Sequence, residues 1–273
     1  MIWSEYIDAF YSRTRAARLA AAATFGLGLG GCASLADVNV FSLDQDRAMG
    51  SESYEQLLSQ EEVVSSGPQA EQVQRVAERL VEAARQFDPE VVDAFEWEVR
   101  LLQGDETVNA FALPGGKMAV YTGILPVTQG DAGLAVVMGH EIAHAVERHG
   151  TQQVTRVLGA DALLAFYSAY RGEDMTQLEA LGAPIASTLF TLQYGRSAEL
   201  DADHKGLLYM ARAGYDPREA VAFWERMAGA GGGAGVPEFL STHPSHGKRI
   251  DRLQEMMPEA LEIYQQAGGA GTP

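Results

Sequence analysis

The sequence predicts an α+β fold, mostly helical, with a small β-sheet and hairpin beside one central helix. Three observations carry this expectation. Apolar residues recur at helical spacing over most of the chain, apolar–polar alternation is confined to residues 95–102, and one hairpin pattern lies between residues 110 and 122. A length of 273 residues fits one large domain better than two complete ones.

Ser42-Leu-Asp-Gln45 reads as a capping box opening a helix to about Gln60, and Gln69 to Phe87 reads as a second helix. Phe95 to Leu102 is a strand with Trp97, Val99 and Leu101 on one side. Ala110-Phe-Ala-Leu113, a turn at Pro114-Gly-Gly116 and Met118-Ala-Val-Tyr-Thr122 make the hairpin. After a turn at Gln129-Gly130, a helix runs from Ala132 to Arg148, with Asp131 as its N-cap, an apolar face through Leu134, Val137 and Ala145, and Gly150 at its C-terminal end. Gly139 costs that helix about 1 kcal/mol relative to alanine, and a close approach by another backbone is one reason to keep it. Helices are expected from Thr151 to Arg171 and from about Ala183 to Arg212. The turn Gly214-Tyr-Asp-Pro217 leads into another from Pro217 to Met227. The glycine-rich stretch Gly229 to Gly235 reads as a flexible loop, and the end from Gly268 as a disordered tail.

With 47% apolar and 21% charged residues the chain can bury a substantial core. A formal charge of −17 with no basic stripe argues against nucleic acid as a partner. The single cysteine, Cys32, excludes an intrachain disulfide. Arg13, Arg15 and Arg18 precede an apolar, small-residue run, Leu19 to Leu29, which ends in Gly30-Gly31-Cys32. About 11 apolar residues are too few to span a bilayer that needs about 20, but they suit a signal peptide. The run resembles a bacterial lipobox, although its n-region is long and carries Glu5 and Asp8. The alternatives are a free thiol behind an ordinary signal peptide and an uncleaved membrane-anchoring helix. The lipobox reading implies a signal peptide over residues 1–31, a tether over 32–41 attached to the membrane through lipidated Cys32, a domain over 42–267 and a tail over 268–273. Ala33 after the cysteine suggests outer-membrane sorting and a periplasmic location.

The chemistry concentrates in Val136-Val-Met-Gly-His-Glu-Ile-Ala-His-Ala145. This is an H-E-x-x-H motif: on a helix, His140 and His144 lie one turn apart on one face and can both reach a zinc ion, with Glu141 placed to act as general base. Catalytic zinc typically keeps three protein ligands and an open position. A metzincin would have glycine at 147 and histidine at 150, whereas Glu147 and Gly150 stand there. His149, about 140° around an uninterrupted helix from His144, reads as a solvent-facing helix-end residue. Glu199, in Arg196-Ser-Ala-Glu-Leu-Asp-Ala-Asp203, is the better third ligand. Asp203 lies one turn along, where it can accept a hydrogen bond from a ligating imidazole. Alone, this segment could equally be a solvated acidic helix face.

These motifs, together with Asn109-Ala-Phe-Ala-Leu-Pro-Gly-Gly116, Tyr121-Thr-Gly123 and Ser241-Thr-His-Pro244 followed by Arg249-Ile250, resemble those of the HtpX-like zinc metallopeptidases. That group includes the CAAX prenyl proteases and the periplasmic BepA and LoiP proteins. Asp201 departs from the glutamate usual in the E-x-E-A-D segment. The resemblance implies a zincin-type domain with one zinc per chain, held by His140, His144 and Glu199. It also places His243 near the metal, in some relatives as a removable inhibitor at the open position and otherwise as a catalytic oxyanion stabiliser, and Arg249 as an oxyanion stabiliser or ligand orienter. His204 and His246 match no ligand position. Asn109, Ala110, Phe111 and Ala112 are a candidate platform for an extended substrate bound by strand addition, although the hairpin could merely complete the sheet. The implied partners are unfolded or misassembled envelope proteins and the envelope assembly machinery. The competing reading is a chaperone-like lipoprotein whose zinc site is closed by His243.

Overall fold

The computed structural model describes residues 39–156, 194–230, 237–243 and 248–269, all within one unit, Ala36–Pro273. Cys32, residues 157–193, residues 231–236, His246 and the last four residues lie outside the described residues, and with them the readings made for those positions.

Helix α1 (Leu43–Leu58) starts with the expected capping box, Gln45 N–H donating to Ser42 Oγ and Ser42 N–H to Gln45 Oε1. Strand β1 (Val63–Val64) leads to α2 (Pro68–Arg85), whose inward face is Val73, Val76, Ala77, Leu80 and Ala84. After the short α3 (Pro89–Ala94) come β2 (Glu98–Leu102), β3 (Ala110–Leu113) and β4 (Lys117–Tyr121). The sheet is mixed, in the order β1-β2-β4-β3: β2 runs parallel to β4, while β3 pairs with β4 antiparallel, Ala112 opposite Met118. The turn Pro114–Gly116 joining β3 to β4 is where α1 docks. A side chain at Gly50 would fall 1.7 Å from the Pro114 carbonyl oxygen, so only glycine lets the helix settle there. The buried Tyr54 hydroxyl donates to Met118 O at 2.7 Å, tying α1 to β4.

A short helix α4 (Leu125–Thr128) precedes α5 (Asp131–Val146), which carries the H-E-x-x-H run. Every residue from Gly133 to Val146 is buried, so the helix is packed on all sides rather than along the single apolar face expected. Its N-cap is Gly130, not Asp131. The Asp131 carboxylate instead accepts from Arg75 Nη2 at 2.9 and 3.0 Å and from Gln72 Nε2 at 2.9 Å, which fixes α2 against the start of α5. Nor does Gly150 end the helix. Glu147 caps it and Arg148 takes the left-handed conformation (φ 60°), after which residues 149–156 form a new helix, α6. A left-handed residue with a side chain costs about 1–2 kcal/mol, and here the arginine is held in it. Its Nε donates to the buried Asp46 carboxylate at 2.5 Å and its Nη2 to the Phe41 carbonyl.

Helix α7 (Arg196–Arg212) packs along α5, α8 (Glu219–Ala230) follows the turn at Gly214, and α9 (Glu238–Thr242) and α10 (Arg249–Gln266) complete the described elements. The core is continuous across α2, the sheet, α5, α7 and α8. The mostly helical α+β expectation holds. None of the described helices is long and apolar enough to cross a membrane.

Candidate metal centre

Two helices supply the centre, and their closeness is set by glycine. Where α5 crosses α7, a Cβ on Gly139 would lie 2.9 Å from Gly206 O, and a Cβ on Gly206 would lie 2.8 Å from His140 N. Backbone therefore rests on backbone at the residue before the first histidine. This crossing brings the exposed-looking acidic segment of α7 inward, so that Glu199 and Asp203, one turn apart, face His140 and His144.

His140 Nε2 lies 3.0 Å from His144 Nε2 and 3.6 Å from Glu199 Oε2, and His144 Nε2 lies 3.4 Å from Glu199 Oε1. The ring of His243, just after α9, comes in from a third direction. Its Nδ1 is 3.2 Å from His140 Nε2 and 3.0 Å from Glu199 Oε1, and its Nε2 is 3.2 Å from Glu141 Oε1. One donor atom from each of His140, His144, Glu199 and His243 falls within 4.8 Å of all the others, and all four residues are buried. Ligands about 2.0–2.1 Å from zinc in a tetrahedron are about 3.3 Å apart, and the separations of 3.0–3.6 Å that link His140, His144 and Glu199, and His243 to His140 and Glu199, are close to that edge.

The charges also fit a divalent cation. Glu141, Glu199 and Asp203 are buried carboxylates, and among the described residues the buried guanidinium facing them is Arg249. Arg249 Nε and Nη2 donate to Asp203 at 2.7 and 2.8 Å, and Nη2 also to Glu199 at 2.8 Å, while the guanidinium lies 3.7 Å over the Trp224 ring. Three carboxylates against one guanidinium leave an excess of acidic groups in a dry site, which is costly when they ionise; a divalent cation would offset it. Burial pushes the Glu199 carboxyl up, but hydrogen bonds from His144 and His243 and the charge of His140 outweigh it and hold Glu199 far below the usual carboxylate range. Burial raises Glu141, and only partly do His243 and His140 counter it.

The sequence between the two helices and beyond them matches a known family over residues 68–257, described as Peptidase family M48. The chain belongs to peptidase family M48. It is 35% identical over 228 residues to the mitochondrial metalloendopeptidase OMA1 of Schizosaccharomyces pombe, covering 81% of this chain and 64% of that protein. It is also 35% identical over 233 residues to its namesake from Arabidopsis thaliana, covering 81% of this chain and 46% of that protein. The beta-barrel assembly-enhancing protease of Escherichia coli is 30% identical over 178 residues, 59% of this chain and 35% of that protein. The chain thus spans less than two thirds of the length of these relatives. The HtpX-like resemblance read from the motifs holds at the level of M48, and the buried His-His-Glu-His set is able to hold one metal ion, consistent with zinc.

Within this M48 centre the structure brings together His140, Glu141, His144, Glu199, Asp203, His243 and Arg249. Asp203 Oδ1 stands 3.0 Å from His140 Nδ1, on the side of the ring away from the cluster. Of the strand residues, Ala112 N–H donates to Glu141 Oε2 at 3.1 Å, and Ala110 N–H to Asn109 Oδ1 at 2.9 Å. Both point away from β4, so the outer edge of β3 faces the centre. Phe111 turns the other way, its ring 6.5 Å from that of Tyr121. His204 is exposed and pairs with Glu259, as expected of a residue outside the site. The expectation for His149 was wrong. It is 6% exposed, and its Nδ1 lies 2.9 Å from His144 Nδ1. The reason is the left-handed Arg148, which breaks the helix that would otherwise carry residue 149 to the solvent face. Three aromatic residues also went unnoticed: Tyr194, stacked 4.0 Å from His144; Phe239, stacked 4.7 Å from His243; and Trp224 beneath Arg249. Tyr194 stands two residues before Arg196, and that closeness to the acidic segment is the one sequence signal that marks it.

Proposed function

We propose that this protein is a zinc-dependent metalloendopeptidase of the bacterial cell envelope that hydrolyses peptide bonds in unfolded or misassembled envelope proteins. The observation that carries the peptidase reading is the position of Glu141, between the four-residue cluster and the outward edge of β3. A zinc ion held by His140, His144 and Glu199 supplies Lewis acidity towards a water and the scissile carbonyl. Glu141, whose burial raises its affinity for a proton, takes the proton from that water and delivers it to the leaving amine. An extended substrate adds to the outer edge of β3, replacing Asn109 Oδ1 and Glu141 Oε2 as acceptors of the Ala110 and Ala112 N–H groups that are turned away from β4. Recognition of this kind reads backbone more than side chain, which suits unfolded segments.

His243 occupies the fourth corner of the cluster and contacts Glu141, so water and substrate require its ring to move aside. It acts as a latch in this reading. Arg249 spends two of its three nitrogens on Glu199 and Asp203, which favours ligand orientation over oxyanion binding. The lipobox-like run ending at Cys32 supports attachment to the periplasmic side of the outer membrane, where misassembled envelope proteins and their assembly machinery are met. The similarity to the beta-barrel assembly-enhancing protease points to the same substrate class.

The test is zinc analysis combined with proteolysis of casein or a denatured outer-membrane protein by wild type, Glu141→Gln and His243→Ala. About one zinc per chain is expected in all. Glu141→Gln loses cleavage while keeping the metal, and His243→Ala cleaves at least as fast as wild type. Wild-type cleavage rates in Glu141→Gln would overturn the mechanism. No cleavage by any form, with aggregation of the substrate still suppressed, would replace the peptidase with a chaperone-like binding protein.

A further inference from the structure

The two histidines of the motif are not held alike. His140 presents Nε2 to the cluster and Nδ1 to the Asp203 carboxylate. His144 also presents Nε2 to the cluster, but its Nδ1 faces the Nδ1 of His149 at 2.9 Å, with the two ring centroids 4.9 Å apart and nearly perpendicular. Two imidazole nitrogens at that distance share one proton, and if His144 Nε2 is to offer a lone pair, the proton belongs to His144 Nδ1. We propose that His149 is a positioning residue for the metal: its Nδ1 accepts the hydrogen bond that fixes the tautomer and rotation of the His144 ring. This rests on the reading of His140, His144 and Glu199 as zinc ligands.

The local fold is built to make this contact. Residue 149 would lie about 140° away from His144 on a continued helix. The left-handed Arg148 reverses that geometry and returns His149 to the centre. Arg148 is itself anchored by the Asp46 carboxylate and the Phe41 carbonyl, so residues before and within α1 fix a bend next to a metal ligand more than a hundred residues later. Tyr194 stacks on a face of the same imidazole with ring centroids 4.0 Å apart and restricts its movement further. A neutral partner is also the electrostatically consistent choice. Glu141, Glu199 and Asp203 already balance Arg249 and a dication, and a carboxylate at 149 would add a buried charge without a counterion.

The experiment is zinc affinity by competition with a chromogenic chelator, together with thermal unfolding of the metal-free protein, for wild type, His149→Ala and His149→Asn. Asparagine keeps an acceptor, Oδ1, near the place of Nδ1. Loss of an outer partner of a ligating histidine typically weakens metal binding 10–100-fold. His149→Ala should therefore bind zinc 10–100-fold more weakly with metal-free stability close to wild type, and His149→Asn should recover most of the affinity. Unchanged affinity in His149→Ala overturns the proposal. So does a loss matched by lower metal-free stability and not recovered by asparagine, which would mark a packing role. A wild-type protein that takes up no zinc would instead sink the metal-centre reading itself, and this inference with it.

Discussion

Gly206→Ala is a one-atom test of how the centre is assembled. The added Cβ would stand 2.8 Å from His140 N, 2.9 Å from Gly139 C and 3.0 Å from Gly139 O, all backbone atoms of α5. Comfortable carbon contacts lie at about 3.5–4.0 Å, and neither helix can yield by turning a rotamer, so α7 must move away by about 0.5–1 Å. Overpacking of this kind costs about 1–3 kcal/mol, and alanine returns up to about 1 kcal/mol through its better helix propensity. The net expectation is a loss of about 1–2 kcal/mol. For a domain of this size that lowers the melting temperature by about 2–8 °C.

The displacement also has a chemical consequence, because Glu199 and Asp203 ride on α7. The His144–Glu199 and His140–Glu199 separations are 3.4 and 3.6 Å, already slightly beyond the edge of about 3.3 Å that zinc's tetrahedron sets. Lengthening them by half an ångström removes Glu199 from zinc's reach, and zinc affinity should fall at least about tenfold, as for other disruptions around a ligand. Gly229→Ala is the control: nothing lies within 4 Å of a Cβ there, so only the favourable propensity term remains. Chelator competition and thermal melts read both variants. If Gly206→Ala gains stability as Gly229→Ala does and keeps wild-type zinc affinity, the crossing does not set the centre's geometry.

Further outcomes follow from the charges. Burial pushes the Asp203 carboxyl up, but Arg249 and then His140 bring it below its ordinary value of 3.8. A depressed acid contributes stability above its unfolded pKa and loses it as pH falls through the folded one. In chelator, the unfolding free energy of wild type minus that of Asp203→Asn should hold constant from neutral pH to about 5 and shrink below about 4. A difference that widens in acid would refute this assignment. Arg249→Leu leaves Glu199 and Asp203 without their guanidinium, and breaking a buried pair in this way costs about 3–5 kcal/mol. Urea unfolding of the metal-free variant measures it, and a loss under 1 kcal/mol would mean that the carboxylates find another partner.

What the sequence made legible was whatever short-range physics decides. The Ser42–Gln45 capping box, the β3–β4 hairpin and the i, i+4 pairing of His140 with His144 and of Glu199 with Asp203 each depend on a few neighbouring residues, and each stands as expected. Asp131 and Gly150 failed as helix ends because distant residues outbid the local rule: Arg75 and Gln72 take the aspartate, and Asp46 holds Arg148 left-handed in the place where glycine is usual. His149 failed with them, since its burial depends on that bend. The aromatic walls at Tyr194, Trp224 and Phe239 come from separate segments, and no spacing rule joins them.

The same long-range contacts bear on where the working domain begins. The family match starts at residue 68, yet Asn39 Nδ2 donates to Thr151 Oγ1, Phe41 O and Asp46 hold Arg148, Gly50 seats α1 on the Pro114 carbonyl, and Tyr54 bonds Met118 in β4. Two of these anchor the bend beside His144, and two hold α1 against the β3–β4 hairpin, whose outer strand lies beside Glu141. A chain cut at 68 would keep each metal-cluster residue while freeing Arg148 from both of its partners. A left-handed arginine without those bonds has about 1–2 kcal/mol to gain by relaxing, and it would take His149 away from His144 as it did so. The segment before the matched region is therefore part of the centre's support, although it contributes no ligand.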